Sequence, residues 1–360
     1  MSGRGPHVGR IDRLRRSLGR RGTQALLVTH LPNVRWLCGF TGSAGSLLVT
    51  PRDAVFFTDF RYREQSAGEV RRARRVEYIG GSVEAVAAAV RRAGVRRLGF
   101  ESERMTVAAH AELAAALPKV RLVPLVGTVE TLRAVKDARE ITGIRRALAI
   151  AERAAASSLR TLAGRSEVEV AERLRAAIRG GGGDEESFPI IVASGPRAAL
   201  PHAMPTSRTI GGGDLVVIDF GVKLDGYCCD LTRTFSPHKW ENKSRDIYRT
   251  VLAAQLAAIA SIGPGVKCSD VDAAARSVID RAGYGDSFGH GTGHGVGLEV
   301  HEKPTLSPKS GDVLLPGMVV TVEPGIYLED YGGVRIEDMV LVARTGREVL
   351  SRSVPKLVEI

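Results

Sequence analysis

Short apolar runs recur through the first third of the chain. Residues 25–29, 46–50, 54–58, 76–79, 97–100 and 121–126 have the length and the β-branched or aromatic content of strands. Between several of them, residues 83–93 and 107–117 place apolar side chains at helical intervals. This alternation predicts an α/β domain whose end is marked by Pro124 and Gly127. Upstream, Ile11, Leu14 and Leu18 repeat at helical spacing among arginines and predict a first amphipathic helix.

The pattern changes near residue 130. A charged, alanine-rich stretch, 137–162, reads as a long helix, and 166–179 as a second, with Ser166 as N-cap and Glu169 completing a capping box. Gly180 to Gly183 stop it. Two long β-hairpins follow, with helices at 244–262 and 269–282 between them. The first hairpin, 214–235, turns in Lys223-Leu224-Asp225-Gly226. The second, 318–342, turns near Asp330-Tyr331-Gly332-Gly333. Asp-Gly and Gly-Gly suit turns because they tolerate positive φ. The prediction is an α/β domain over 1–130 and an α+β domain of two similar halves, without close sequence repeat, over 131–360.

Each hairpin carries two acids among apolar residues. Val216-Val217-Ile218-Asp219 leads into the first and Asp230-Leu231-Thr232 leads out. A two-residue turn at Leu224-Asp225 sets these aspartates directly opposite. A turn at Asp225-Gly226 makes them diagonal neighbours on the same face. In the second hairpin, a short odd-numbered loop centred on Asp330 faces Glu323 to Glu337. Carboxylates a few ångströms apart repel, and burying them unpaired is costly. A divalent cation answers both problems, and four carboxylates brought together suggest two cations. For one pair alone, a cross-strand accident or a proton-sharing dyad explains as much. The histidines between the hairpins tip the balance. His290, His294 and His301 fall within twelve positions of a glycine-crowded segment, and His202 follows Leu200-Pro201. Glycine lets backbone pass close to a ligand. The segment is not a phosphate loop, because it lacks the strand-then-helix setting and the lysine.

Composition narrows the classes. With 360 residues, 44% of them hydrophobic, the chain can bury two cores of ordinary size. No stretch approaches the roughly 18–20 apolar residues of a membrane span. The Arg-rich opening, 1–22, has no apolar run after it of the kind a secretory signal needs, and a transit peptide is the weaker reading. Cys38, Cys228, Cys229 and Cys268 form neither a C-x-x-C pair nor a disulfide framework, which suits a reducing compartment and points to the cytoplasm. The formal net charge of +11 comes mostly from arginine. Aromatics are only 5% and are not interleaved with those arginines, so a solvated basic surface is preferred to a nucleic-acid partner.

These motifs resemble a known family. Ile-Asp-Phe-Gly at Asp219, Asp-Leu-Thr-Arg-Thr at Asp230, Gly-Thr-Gly-His at His294, Val-Glu-Pro-Gly at Glu323 and Arg-Ile-Glu-Asp at Glu337 are similar, in order and spacing, to the five-ligand set of the pita-bread metallopeptidases. That family includes methionine aminopeptidase, prolidase and aminopeptidase P. Asn33-Val34-Arg35-Trp36-Leu37, Gly39-Phe40-Thr41-Gly42-Ser43-Ala44-Gly45 and Thr58-Asp59-Phe60-Arg61-Tyr62 resemble a creatinase-type N-terminal domain, most like that of bacterial aminopeptidase P. The resemblance implies a creatinase-type α/β domain followed by an α+β pita-bread catalytic domain. It implies that Asp219 chelates one metal, that Asp230 and Glu337 bridge two, and that His294 and Glu323 hold the other. A metal-bridging hydroxide would attack the carbonyl before proline, with Glu323 shuttling the proton. His202 and His301 would stabilise the tetrahedral intermediate and grip the substrate backbone. Arg335 would support Glu337 and the substrate side, and His290 and Val300 would border the substrate pockets. Carboxylates with one imidazole suit Mn²⁺, with Co²⁺, Zn²⁺ or Fe²⁺ as alternatives. The expected partners are proline-containing peptides, without nucleic acid or membrane, and the resemblance implies a homodimer.

Two departures stand out. Cys228-Cys229-Asp230 replaces the usual serine before the aspartate, and Cys228 shares strand parity with Asp230. A small packed residue is preferred to a thiol ligand there. Ser194-Gly195-Pro196-Arg197-Ala198-Ala199, before His202, departs from the common asparagine-serine form. The expected activity is an aminopeptidase removing the residue before proline, with an Xaa-Pro dipeptidase as alternative. Methionine aminopeptidase usually lacks the N-terminal domain, creatinase lacks the metal ligands, and a non-catalytic binding protein of this fold loses ligands that are intact here.

Overall fold

A computed structural model describes residues 9–238, 240–351 and 354. The parts of the expected domains at 1–8, 352–353 and 355–360 lie outside the described residues. The chain divides into two compact units between Arg133 and Ala134.

The first unit is built on a six-stranded sheet of β1 (Ala25–Val28), β2 (Ser46–Val49), β3 (Ala54–Thr58), β4 (Arg74–Glu77), β5 (Arg97–Glu101) and β6 (Arg121–Leu125). The order is β4-β3-β2-β1-β5-β6. The β1–β2 and β2–β3 pairs are antiparallel and the others parallel. Strands β1 and β3 are buried on both faces, which is why they read as unbroken apolar runs. Strand β4 lies two residues earlier than its apolar pattern predicts. It is an edge strand with two arginines, its register is set by backbone pairing to β3, and Ile79 is left fully open to solvent. Helix Arg10–Arg20 buries Ile11, Leu14 and Leu18. Among the described residues of this unit three α-helices escaped the pattern, one of them the single turn Glu130–Arg133. Leu31–Cys38 starts with a proline in its first turn and stops at Gly39, and Arg63–Glu69 is a short surface helix.

The second unit has two halves. Helices Ala138–Ser158 and Glu167–Gly180 open the first, and both carry capping boxes, from Asp137 with Glu140 and from Ser166 with Glu169. They accompany a three-stranded antiparallel sheet of Ile191–Ser194, Val216–Phe220 and Leu231–Phe235. Helices Asn242–Ser261 and Cys268–Arg281 accompany a five-stranded antiparallel sheet that includes Gly293–Gly295, Val319–Val322 and Asp338–Val342. Strand side chains alternate between two cores. Val216, Ile218, Phe220 and Val319 join Ile144, Leu148 and Leu174. Val217, Val320 and Val322 join Ile247, Val251 and Val271. The sheets are therefore buried on both sides by helices.

Hairpin register brings the acids together. In the first hairpin, Asp225 (φ 48°) and Gly226 (φ 75°) form the two-residue loop, with Leu224 paired to Tyr227. Two consecutive positive φ values are those of a type I′ turn. Of the two registers open to the sequence, this is the diagonal one: Asp219 faces Thr232. The second hairpin has Val322 opposite Asp338 and Gly325 opposite Arg335, so Glu323 lies across from Glu337. Its loop is Glu329-Asp330-Tyr331. Gly332 and Gly333, expected in the turn, instead belong to the returning strand. A Cβ at Gly333 would overlap the Ala198 carbonyl, so the glycine serves close packing there. Among the described residues no helix is long and apolar enough to cross a membrane.

Gly226→Ala forces a Cβ into left-handed backbone. It is expected to lower stability by about 1–2 kcal/mol, read by thermal or denaturant unfolding. An unchanged midpoint would refute the turn assignment.

Candidate metal centre

Asp219 ends a central strand, Asp230 immediately precedes the strand beside it, and Glu323 and Glu337 occupy the gap between two ladders of the second hairpin. His294 lies on the short strand Gly293–Gly295. A Cβ on either flanking glycine would overlap a neighbouring backbone carbonyl, of Thr321 at Gly293 and of Lys303 at Gly295. Glycine thus lets strands close on both sides of the histidine. Ligand atoms of Asp230, His294 and Glu337 all lie within 4.8 Å of one another. His294 Nε2 is 3.6 Å from Asp230 Oδ2 and 3.2 Å from Glu323 Oε1. Its Nδ1 lies 3.0 Å from the Gly295 carbonyl, which can only accept, so Nδ1 carries the proton and Nε2 faces the acids.

The acids of the site outnumber the positive groups beside them, Arg335 and His294. Burial, and then the charges of Glu337 and Asp219, push Asp230 well above the usual carboxylate range. Burial and the charges of Glu323 and Asp219 do the same to Glu337. Asp219 is raised by burial despite Arg335. Burial also works against ionised Glu323, but its hydrogen bond to His294 and the histidine's charge outweigh this and hold it at about 2. His294 is raised correspondingly: burial lowers it, and Glu323 more than offsets that. Asp219 Oδ1, Asp230 Oδ1 and Glu337 Oε1 are buried with no hydrogen-bond partner. Buried anionic oxygens without donors are rare and call for an ion. Carboxylates plus one imidazole are a donor set for divalent first-row metals, so these residues fit such cations.

Neighbouring side chains hold the acids in place. Thr232 donates to Glu337 (2.6 Å) and Thr321 to Glu323 (3.1 Å). Arg335 is buried and donates to Asp219 (2.7 Å), to the Tyr327 hydroxyl (2.9 Å) and to the Pro201 carbonyl (3.1 Å). The sequence reading coupled Arg335 to Glu337. The direct partner is Asp219, and Glu337 is reached only through Thr232, which accepts from Arg335 Nε at 3.3 Å. Tyr327 meets His290 Nε2 at 2.9 Å, while His290 Nδ1 faces the Gly291 carbonyl. His290, Tyr327, His202, Pro201 and Asp286 line an adjoining cavity of about 330 Å³. His301 is exposed, with its ring 4.4 Å from that of His294. Val300 packs against the apolar core and is not part of this cavity. Cys228 is buried in that core, with Sγ 3.9 Å from the Leu298 carbonyl, and burial raises its thiol to about 11. It is a packed residue.

Several members of this arrangement were not legible beforehand. Thr232, Thr321 and Tyr327 are ordinary strand residues. Asp272, buried, accepts from Thr292 N (3.0 Å) and Oγ1 (2.9 Å) and pairs with Arg276. Arg276 in turn donates to the carbonyls of Phe288 and His290. The i, i+4 spacing of Asp272 and Arg276 was a readable signal, but it predicts only a surface helix pair.

The model of metallopeptidase family M24 matches residues 142–344, and that of the creatinase/prolidase N-terminal domain matches 10–135. The chain is similar to the uncharacterized peptidase YqhT of Bacillus subtilis, at 42% identity over 97% of this chain and 99% of that one. Its structure resembles an Xaa-Pro dipeptidase from Bacillus anthracis (40% identity, TM-score 0.95, covering 98% and 99% of the two chains). It also resembles an X-Pro aminopeptidase from Thermotoga maritima (34%, TM-score 0.87, covering 96% and 99%).

The shifts set a pH-dependent outcome. Asp230 and Glu337 have raised values when folded without cations. Their contribution is fully present below the unfolded carboxylate value of about 4 and is lost as pH rises toward the folded values. Cations relieve that loss, whereas protons compete with them at low pH. Mn²⁺ at about 100 times its dissociation constant should add about 2.7 kcal/mol, or roughly 5–11 °C in Tm, to metal-free protein. At one fixed Mn²⁺ concentration the gain is expected to be larger at pH 8 than at pH 5, because protonation weakens binding. Equal midpoints with and without Mn²⁺ at pH 8 would rule out a cation site.

Proposed function

This chain belongs to metallopeptidase family M24, with a creatinase-type N-terminal domain and a pita-bread catalytic domain, and from that premise we propose that it is a dinuclear Xaa-Pro aminopeptidase. The observation that carries this reading is the set of four converging carboxylates and one histidine, three of whose buried oxygens have no donor. Asp219, Asp230, His294, Glu323 and Glu337 would hold two divalent cations, with Mn²⁺ the metal best suited to these donors. Such cations supply Lewis acidity, making a water nucleophilic near neutral pH and polarising the scissile carbonyl.

The remaining steps fall to side chains. Glu323 is the carboxylate that would accept a proton from the attacking water and pass it to the leaving nitrogen. His202 and His301 donate to the carbonyl oxygen and the substrate backbone. Arg335 holds Asp219, and through Tyr327 it orients His290 at the cavity wall. An X-Pro bond is a tertiary amide with no N–H and a ring of fixed φ. A site that needs no contact with that N–H can cleave what strand-gripping proteases miss.

Two lengths of substrate divide the readings. Among the described residues, the lining of the adjoining cavity includes Asp286 but no lysine or arginine, and the Arg335 guanidinium that bonds Pro201 and Tyr327 of that lining is already committed to Asp219. A dipeptide presents its carboxylate right after proline and needs a cation there. The lining therefore supports peptides that continue past proline. The dipeptidase reading is supported by the names of several similar proteins, among them those of Bacillus anthracis and Pyrococcus horikoshii. The enzyme is proposed to work in the cytoplasm as a homodimer.

With Mn²⁺ present, Xaa-Pro-Xaa peptides should be cleaved at least about tenfold more efficiently than Xaa-Pro, about 1.4 kcal/mol in kcat/KM. The reverse order would assign the dipeptidase. Asp230→Ala and Glu337→Ala are expected to lose both metal and turnover. His301→Ala should lose roughly 100-fold in kcat with metal content near normal. Metal loss in that variant would make His301 a ligand.

A further inference from the structure

Glu167 sits at the start of helix Glu167–Gly180, and its side chain is completely buried. Nothing so far gives it a task, yet its carboxylate is saturated with donors. Oε1 accepts from Ser194 N (2.9 Å) and Ser194 Oγ (2.9 Å). Oε2 accepts from Thr206 N (2.9 Å) and Thr206 Oγ1 (2.7 Å). Arg197 Nε approaches both oxygens, at 3.3 and 3.1 Å. These donors are not scattered. Ser194 ends the strand Ile191–Ser194, and Thr206 lies at the far end of the excursion that follows it. One carboxylate thus closes the neck of the loop 194–206.

The loop carries His202 at the cavity shared with His290 and Tyr327. Its middle has a second tether, because Arg335 donates to the Pro201 carbonyl while binding Asp219. Arg197 adds a third, from its Nη2 to the Met204 carbonyl (2.6 Å). His202 itself is exposed, while the next residue, Ala203, is buried against Ile191 and Ala193. The tethers at the neck and at Pro201 add to that packing in holding the loop. A carboxylate with several charge-assisted bonds is strong enough to hold such a loop.

We infer that Glu167 is a positioning residue for the reaction: it locks both ends of the loop 194–206 and so presents His202 to the substrate carbonyl. The inference rests on the peptidase reading for its catalytic part but not for its structural part. Glutamine at 167 keeps the shape, removes the charge and turns an amide NH₂ toward donors. The loop should loosen while the metal ligands, which lie on other strands, keep their places.

The test uses the full chain loaded with Mn²⁺ and four forms: wild type, Glu167→Gln, His202→Ala and the double variant. In Glu167→Gln, amide hydrogen exchange at Ser194 and Thr206 should quicken, exchange at Thr292 and Glu323 should not, and Mn²⁺ per chain should match wild type. On an Xaa-Pro-Xaa peptide, kcat should fall roughly 10- to 100-fold, the loss expected when a catalytic group is misplaced by about 1 Å, with little change in KM. If Glu167 acts through His202, the double variant should be no slower than His202→Ala alone. Losses that multiply in the double variant, full activity in His202→Ala, or unaltered exchange at Ser194 and Thr206 would each overturn the proposal. If the wild type cleaves no proline peptide, the peptidase reading fails, and the exchange data alone decide the loop-locking role. If Glu167→Gln does not fold, Thr206→Val, which removes one hydroxyl donor, should show the same exchange pattern and a smaller loss in kcat; no change in either would likewise overturn it.

Discussion

Four carboxylates cannot share a small buried space as anions unless positive charge is brought among them. That constraint governs the second unit of this chain. Asp230 and Glu337 are pushed toward the protonated state by burial and mutual repulsion, and three of the acids keep an oxygen without a donor. Among the described residues, Arg335 is the one guanidinium hydrogen-bonded to a side chain of this group, and it is committed to Asp219. A fold that retained this group with no cation would lose stability that apolar residues could supply more cheaply. The arrangement suits a divalent-cation site, and that is what ties the sheet architecture to a family of metallopeptidases.

Around this centre runs a layer of residues whose work is geometric. Buried Arg233 pairs with buried Asp338 at 2.9 Å, and Asp338 also accepts from Gln255 and Ser351. Asp338 follows the candidate ligand Glu337 in sequence, and Arg233 follows Thr232, which donates to Glu337. The strands bearing the acids are thus fastened by charge as well as by ladder. Asp272 and Arg276 perform the same service for the glycine-rich segment around His290 and Thr292. Glu167 does so for the loop that bears His202. The irregular segments that bear His202 and His290 are each held by a buried carboxylate from a helix. That division suits a site whose ligands sit on or beside rigid strands and whose substrate contacts sit on loops.

The two hairpins show how far local pattern reaches. A loop centred on Asp330 was enough to set Glu323 against Glu337, because strand side chains alternate and the loop length leaves one register. The first hairpin left two registers open. Leu224-Asp225 and Asp225-Gly226 are both acceptable two-residue turns, and only the positive φ at Asp225 and Gly226 together selects the second. Gly332 and Gly333 misled for a related reason. A glycine needed for close approach to another segment looks the same in one dimension as a glycine needed for a turn. Strand β4 was displaced because its edge position is a property of the sheet, while the apolar residues beside it suggested burial.

What the chain determines by itself is therefore the inventory and the short-range geometry: which acids lie on which strands, which helices are capped by Ser166 or Asp137, and which residues can bind a cation. These follow from periodicity, turn chemistry and side-chain type, all of which act over a few residues. Tertiary structure decided which groups meet. That Thr232 reaches Glu337, that Arg335 chooses Asp219, that Cys228 turns into the core, and that Glu167 ties Ser194 to Thr206 are contacts made across 27 to 116 positions. They depend on how sheets and helices stack. No local preference encodes them, because the free energy that selects them comes from packing two halves around one buried, charged centre.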